Sequence, residues 1–435
     1  MVLVGLGGRG TNHLNTYSRL PDARVAALCD VNQAARERAQ ATLLKNTSEK
    51  AKEFEDMRQA FADPGVDAVS IATPNHWHAL ATIWACQAGK DVYCEKPACY
   101  NIHEGQRMLQ VAGETKRMVQ IGSQHRSTPF KMKSFQALHD GLIGKIYLAK
   151  GLCFKRRASI GVRPDEPTPP GLNWDLFLGP APMRPYNEHR FRYNWHWFWD
   201  TGNGDIGNQG VHEIGICRWG LGDPDWPKAA VAMGGKYAND DDTETPNTLL
   251  ASYDYGGREI VFEVRGNFTG GEGNIQRRGP GGRGRGGNAP GAPPPAAEQA
   301  AVAAVSAPSP VPSIMIGNLF YGTEGWAAMS DAGCQFYKGD SSELIREERP
   351  ERGPAGGDAT GLHMENFLAA CRSRNVKDLH DPLSNAYLSA SLCHLANISY
   401  RVGRKLTIGA GPKFGNDAEA NKLISREAYR KPYVV

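Results

Sequence analysis

Val2-Leu3-Val4-Gly5-Leu6-Gly7-Gly8-Arg9-Gly10 opens the chain and decides how the rest is read. Three apolar, strand-forming residues run straight into a G-x-G-x-x-G spacing, and a helical stretch follows near residues 10–19. Glycines in this pattern permit a tight turn and let backbone N–H groups approach a pyrophosphate seated on the helix N-terminus. Twenty positions after Gly10 the second strand candidate, Ala26-Ala27-Leu28-Cys29, ends in Asp30. An acid there accepts from a ribose 2′-hydroxyl and repels a 2′-phosphate. Gly5, Gly7, Gly8, Arg9, Gly10 and Asp30 are therefore read as a dinucleotide site that prefers NAD to NADP.

Outward from this turn, residues 1–123 alternate short β-branched runs with helix-length stretches. Val2–Val4, Val25–Leu28, Ala68–Ala72, Val92–Cys94 and Val119–Ile121 read as strands, with helices near 10–19, 32–44, 79–88 and 102–114. This wiring predicts a parallel sheet. Asn75 is expected to cap the helix that Gly89 ends, and Asn101 with Glu104 resembles a capping box. After residue 124 a helix near 129–139 precedes longer strand candidates at Ile146–Phe154, Thr248–Tyr253, Glu259–Arg265 and Ile314–Phe320, with late helices near 362–374 and 382–400. Strands without intervening helices predict a mostly antiparallel sheet. The expected architecture is α/β: a Rossmann domain over 1–123, an α+β domain over 124–412 with a large, mostly antiparallel sheet, and a tail over 413–435. A Gly/Arg/Pro/Ala run over 270–312 reads as a disordered insertion.

Composition narrows the function. At 435 residues two domains are expected. Forty per cent apolar and 22% charged residues suit a soluble globular protein, and no apolar run approaches the roughly 20 residues that span a bilayer. A net charge of +4, partly in the Arg/Gly run, argues against a nucleic-acid surface and for a small-molecule partner. Nine cysteines without a C-x-x-C pair read as free, mostly buried thiols. As given, the chain reads as cytoplasmic; removal of an upstream export signal would make it periplasmic.

Thr73-Pro74-Asn75-His76-Trp77-His78 follows the strand before Thr73. Two readings stand side by side: Thr73 and Asn75 touch the dinucleotide, or the segment is a turn and cap, with His78 a helix-packing residue. The next strand ends in Cys94-Glu95-Lys96-Pro97. With the glycine turn, the Ala-Thr-Pro-Asn segment and this Glu-Lys-Pro in order, the chain resembles the Gfo/Idh/MocA family of glucose–fructose oxidoreductase and inositol dehydrogenase. The resemblance implies a cis Lys96–Pro97 bond, Glu95 and Pro97 at the cofactor, and Lys96 facing both nicotinamide and substrate hydroxyl. It also implies a D-x-x-x-H signature whose His is the general base. The matching stretch puts His212 at that position and Asn208 where the aspartate stands, so Asp205 or Glu213 is expected to supply the missing charge. The competing reading of His212 is a core histidine.

Tyr193-Asn194-Trp195-His196-Trp197-Phe198-Trp199-Asp200 reads either as a sugar-stacking surface, with Tyr193 and Trp195 on the substrate, or as a core or interface strand. His76, His189, His196 and His212 lack metal-ligand spacing, so no metal is expected. The resemblance implies NAD-dependent hydride transfer at a secondary hydroxyl of a sugar, glycoside (at C3, for instance) or cyclic polyol. The alternatives are a glycoside hydrolase working by oxidation, elimination, hydration and reduction, with Tyr193, Asp200 or Glu188 as the extra acid or base, and a non-catalytic ligand sensor. It further implies a homodimer or homotetramer joined through the C-terminal sheet.

Overall fold

The protein is described from a computed structural model covering residues 1–267, 269–272, 314–341, 343–351, 358–409 and 411–435. From residue 273 on, the run read as a disordered insertion lies outside these residues. The N-terminal part alternates β1 (Val2–Val4), α1 (Gly8–Tyr17), β2 (Ala27–Cys29), α2 (Gln33–Thr47), β3 (Lys52–Phe54), α3 (Met57–Phe61), β4 (Ala68–Ile71), α4 (Asn75–Gln87), β5 (Asp91–Cys94), α5 (Ile102–Thr115) and β6 (Val119–Ile121). The six strands are parallel in the order β3-β2-β1-β4-β5-β6. Val2, Leu3 and Val4 are all buried because helices cover both faces of a parallel sheet. The strand order reverses at β1 and β4, and that reversal leaves a crevice at the carboxyl edge.

The sequence reading missed β3 and α3. β3 is an edge strand of Lys-Glu-Phe, exposed at its first two positions, so no apolar run announces it. Asn75 does not cap α4. Pro74 holds the cap position without a side-chain bond, and the Asn75 amide instead donates to Asn203 Oδ1 at 3.0 Å. Asn101 does cap α5, accepting from the Glu104 N–H at 2.9 Å, while Glu104 turns back onto the Asn101 amide and the Tyr100 N–H.

The second part contains α6 (Pro129–His139), β7 (Ile146–Cys153), α7 (Trp174–Leu178), α8 (Val211–Gly220), β8 (Ala229–Gly235), β9 (Thr248–Asp254), β10 (Glu259–Arg265), β11 (Ile316–Gly322), β12 (Gly325–Ser330), β13 (Gly333–Lys338), β14 (Leu344–Glu348), α9 (Ala359–Ser373), α10 (Leu383–Val402), β15 (Leu406–Thr407) and α11 (Ala418–Lys422). Among the described residues nine strands form one sheet in the order β14-β13-β12-β11-β7-β10-β9-β8-β15, antiparallel except where β7 meets β10. α8 and α10 pack on one face. α10 carries the apolar stripe seen in the sequence and stops at Gly403, whose φ of 68° suits glycine. The run Tyr193–Asp200 is no strand: residues Arg192–Trp197 form 3-10 turns. All nine cysteines are free, and all but Cys371 are buried. Among the described residues no helix is long and apolar enough to cross a membrane.

Candidate active site

A cleft of about 1120 Å³ sits at the crevice between β1 and β4. Gly5, with φ +83°, packs so close to the next strand that a Cβ would meet the Ala72 carbonyl carbon at 2.8 Å. A Cβ on Gly10 would lie 1.8 Å from the Gly5 carbonyl oxygen; Gly10 therefore seats α1 on the turn and does not itself line the cleft. Gly7 and Gly8 differ, since a Cβ on either meets nothing within 4 Å. They leave room in front of α1, which starts without a side-chain cap. Two buried polar atoms nearby, Arg9 Nη2 and Thr73 Oγ1, have no hydrogen-bond partner among the described residues. The Asp30 carboxylate accepts from the Leu6 N–H at 2.6 Å and the Asn32 N–H at 2.8 Å, which fixes its direction and leaves lone pairs free. Uncapped N–H groups, open space and a held carboxylate fit a dinucleotide's pyrophosphate and ribose.

Glu95 also lines the cleft, but its Oε1 is committed: Arg9 Nε at 2.7 Å, His13 Nε2 at 3.0 Å and Gln124 Nε2 at 3.1 Å converge on it. Burial works to raise this carboxyl, yet Arg9 and His13 outweigh burial and hold it well below the usual range. Glu95 thus positions Arg9, and its Oε2 accepts from the Lys96 N–H at 3.3 Å. The Lys96–Pro97 bond is cis. Pro97 does not line the cleft; its carbonyl lies 2.7 Å from His78 Nδ1, whose other nitrogen lies 2.9 Å from the Thr73 carbonyl, so His78 packs α4 onto both loops.

At the other end of the cleft Lys96 Nζ donates to the Asn208 carbonyl at 2.7 Å and to Asn208 Oδ1 at 3.1 Å. Asn208 lies in a π-helical turn, Ile206–Gly210, that runs into α8, and both Asn208 and His212 line the cleft. The Asn208 amide donates to the Tyr193 hydroxyl at 3.1 Å, and Arg157 Nη1 donates to the same oxygen at 3.0 Å. Trp195 lines the cleft too, stacked on His196 at 3.5 Å. Burial brings the Lys96 ammonium down to about 8, with Glu95 opposing the fall. His212 is pushed to about 3 by burial and by the charge of Lys96, so its imidazole is neutral at ordinary pH.

The expected stand-ins for the missing aspartate do not reach His212. Asp205 is taken by Arg157 at 2.6 Å, and Glu213 turns to Gln209 at 2.8 Å beside a separate cavity, its carboxyl raised by burial to about 7. The nearest ring partner of His212 is His125, edge to face at 5.6 Å. Asp200 and Glu188 are also engaged, with Arg184 and Arg163 at 2.7 Å each, so of the three extra acid or base candidates only Tyr193 lines the cleft. His76, His189 and His196 are held by Phe177, Asp242 and Tyr193 respectively. Sequence reasoning missed Arg157, which follows β7 in Lys155-Arg156-Arg157 and anchors Tyr193 and Asp205 together. It also missed Gln124, Phe177 and Phe191 in the lining; only the basic triplet closing a strand offered a signal.

Residues 1–123 match the Gfo/Idh/MocA model described as "Oxidoreductase family, NAD-binding Rossmann fold", and residues 153–278 match its partner, "Oxidoreductase family, C-terminal alpha/beta domain". Inositol 2-dehydrogenase of Salmonella typhimurium is 31% identical over 172 residues, 39% of this chain and 49% of that protein. Levoglucosan dehydrogenase of Pseudarthrobacter phenanthrenivorans is 26% identical over 231 residues, 51% of this chain and 50% of that protein. The chain thus spans about half the length of these curated relatives. The solved structure of the WlbA dehydrogenase from Bordetella pertussis, in complex with NADH and UDP-GlcNAcA, superposes with a TM-score of 0.63 at 18% identity, covering 94% of this chain and 98% of that one. With both parts of the family model matched over more than half of its residues, and with the glycine turn, Glu95-Lys96-Pro97 and His212 gathered in one cleft, the chain belongs to the Gfo/Idh/MocA oxidoreductase family.

Proposed function

We propose that this protein is an NAD-dependent dehydrogenase acting on a secondary hydroxyl of a sugar, glycoside or cyclic polyol. One observation carries the reading: Lys96 and His212 share a cleft whose other end is the open glycine turn and Asp30. Bound NAD supplies the hydride acceptor at that edge of the sheet. The neutral His212 imidazole takes the hydroxyl proton. Lys96 gives two of its three N–H bonds to Asn208, which leaves one for the substrate oxygen as negative charge develops there. Thr73 and Asn75 belong to the cofactor wall, and Trp195 offers an aromatic face to a ring.

A second reading, glycoside cleavage through a transient ketone, is supported by Tyr193. Its oxygen accepts from both Arg157 and Asn208, which only donate at those atoms, so its own proton is free for a leaving group. Incubation with NAD and a panel of free sugars and aryl glycosides, following nicotinamide reduction and aglycone release together, separates the readings. Turnover of no sugar in either channel would sink both. Self-association through the sheet belongs to the same proposal: cross-strand partners Met233 and Leu250, 72% and 48% exposed, leave apolar surface on the face turned from α8 and α10. Light scattering reads the mass directly.

A further inference from the structure

A second cavity, of about 440 Å³, meets the cofactor cleft at Gln124 and His212, which line both. Among the described residues His212 is the one titratable group common to the two linings. Hydride transfer loads that imidazole with a proton from the cleft side, and the second cavity has no task in that step. Its walls are Asn318 on β11, Lys131 on α6, His125 on the 3-10 turn Gln124–Ser127, and Glu213, which follows His212 in the first turn of α8.

This lining calls for water. Asn318 is fully buried, and neither its Oδ1 nor the buried His125 Nε2 has a hydrogen-bond partner among the described residues. Water fills a polar cavity of this volume that holds unsatisfied atoms. Glu213 is buried and pinned: Asn318 Nδ2 donates to its carbonyl at 2.8 Å, and Gln209 Nε2 donates to its Oε1 at 2.8 Å. A carboxylate held by one donor keeps lone pairs for the cavity. Lys131 Nζ donates to Asp331 at 2.7 Å, and with side chains 5% and 98% exposed the pair runs from the interior to the mouth, where Glu351 also stands.

A base that works repeatedly has to be emptied. With dinucleotide and sugar in the cleft, water is excluded from that side of His212, and the proton needs another way out. We infer that the second cavity is that way out, and that Glu213 receives the proton from His212 through water and passes it to solvent beside Asp331. The inference rests on the dehydrogenase reading of the cleft. The hydroxyl proton goes to His212 as the C–H hydride goes to bound NAD; the imidazolium gives a proton to water, that water gives one to the Glu213 carboxylate, and solvent takes it at the mouth. Each group ends the cycle as it began. Burial raises the Glu213 carboxyl to about 7, opposed by the Lys131 ammonium and by Gln209 and assisted by Asp331. The two imidazoles that face the cavity, His125 and His212, are both held below the usual value by burial and are neutral. A carboxyl balanced near neutrality both takes and releases a proton at working pH.

The test is the pH profile of kcat, read by nicotinamide absorbance with a sugar that the panel shows to be oxidised. Exit follows hydride transfer, so the effect falls on kcat and not on kcat/KM. In the parent, kcat should rise with pH through about 7, where Glu213 gains its charge. Glu213→Gln should remove that limb and lower kcat roughly tenfold or more at unchanged kcat/KM. Glu213→Ala opens room at the same place, and added imidazole should restore most of the lost kcat. Lys131→Met removes the opposing ammonium and should move the limb upward by about one unit. Circular dichroism melts check that the variants fold. A parent without the limb, a limb that survives Glu213→Gln, or kcat and kcat/KM that fall together without rescue by imidazole overturns the exit and leaves the dehydrogenase reading intact. A chain that oxidises no sugar overturns both.

Discussion

The two ends of the cleft are built by different means. At the glycine end, contiguous residues do the work through backbone: Gly5 and Gly10 allow close packing, Gly7 and Gly8 leave space, and Asp30 is aimed by two N–H groups. At the Lys96 end the groups come from four distant segments, and side chains hold one another. Lys96 leans on Asn208, Asn208 on Tyr193, and Tyr193 on Arg157, which is itself neutralised by Asp205. A backbone site tolerates side-chain change and fails when a Cβ intrudes. A side-chain network behaves in the opposite way.

The largest expected effect tests that division directly. Lys96→Ala should lower kcat by roughly 10²–10⁴-fold while the NAD dissociation constant, read by calorimetry, hardly moves; unchanged turnover would remove Lys96 from the chemistry. Next come two glycine changes with opposite outcomes. Gly10→Ala forces a Cβ against the Gly5 carbonyl and should cost about 1–3 kcal/mol or more of stability by denaturant titration. Gly7→Ala should leave stability within about 0.5 kcal/mol yet weaken NAD binding about tenfold, because its methyl enters the space left for the pyrophosphate. Equal effects from both would erase the distinction between packing and cradle glycines.

The smallest effect is a pH shift. Lys96 is protonated below about 8 and loses its charge above it, so kcat/KM should fall as pH rises through that value. His212, depressed to about 3, puts no limb near neutrality. Asn208→Asp adds an anion beside the ammonium and should move the falling limb upward by about one unit. A limb that stays put would mean Asn208 does not govern the charge on Lys96.

The strand-turn-helix spacing made the glycine end legible, and the resemblance carried Lys96 and His212. Arg157 was not legible, because its partners Tyr193 and Asp205 lie 36 and 48 positions away and share no pattern with it. The same blindness produced the expectation that Asp205 or Glu213 would serve His212: proximity in sequence around a helix start does not say which face a carboxylate takes. The partners of Glu95 were illegible for a similar reason. The three donors that saturate its Oε1 come from residues 9, 13 and 124.

By itself the sequence determined the parallel sheet, its crevice, and a dinucleotide site with an acid at the second strand, since these follow from local periodicity and from glycine's missing Cβ. Only the tertiary structure decided where the carboxylates point, that Trp77 donates to the carbonyls of Leu176 and Phe177, and that residues 171–173 bond the β2–α2 connection. Those features depend on chain segments that meet through packing, and packing is a property of the whole fold.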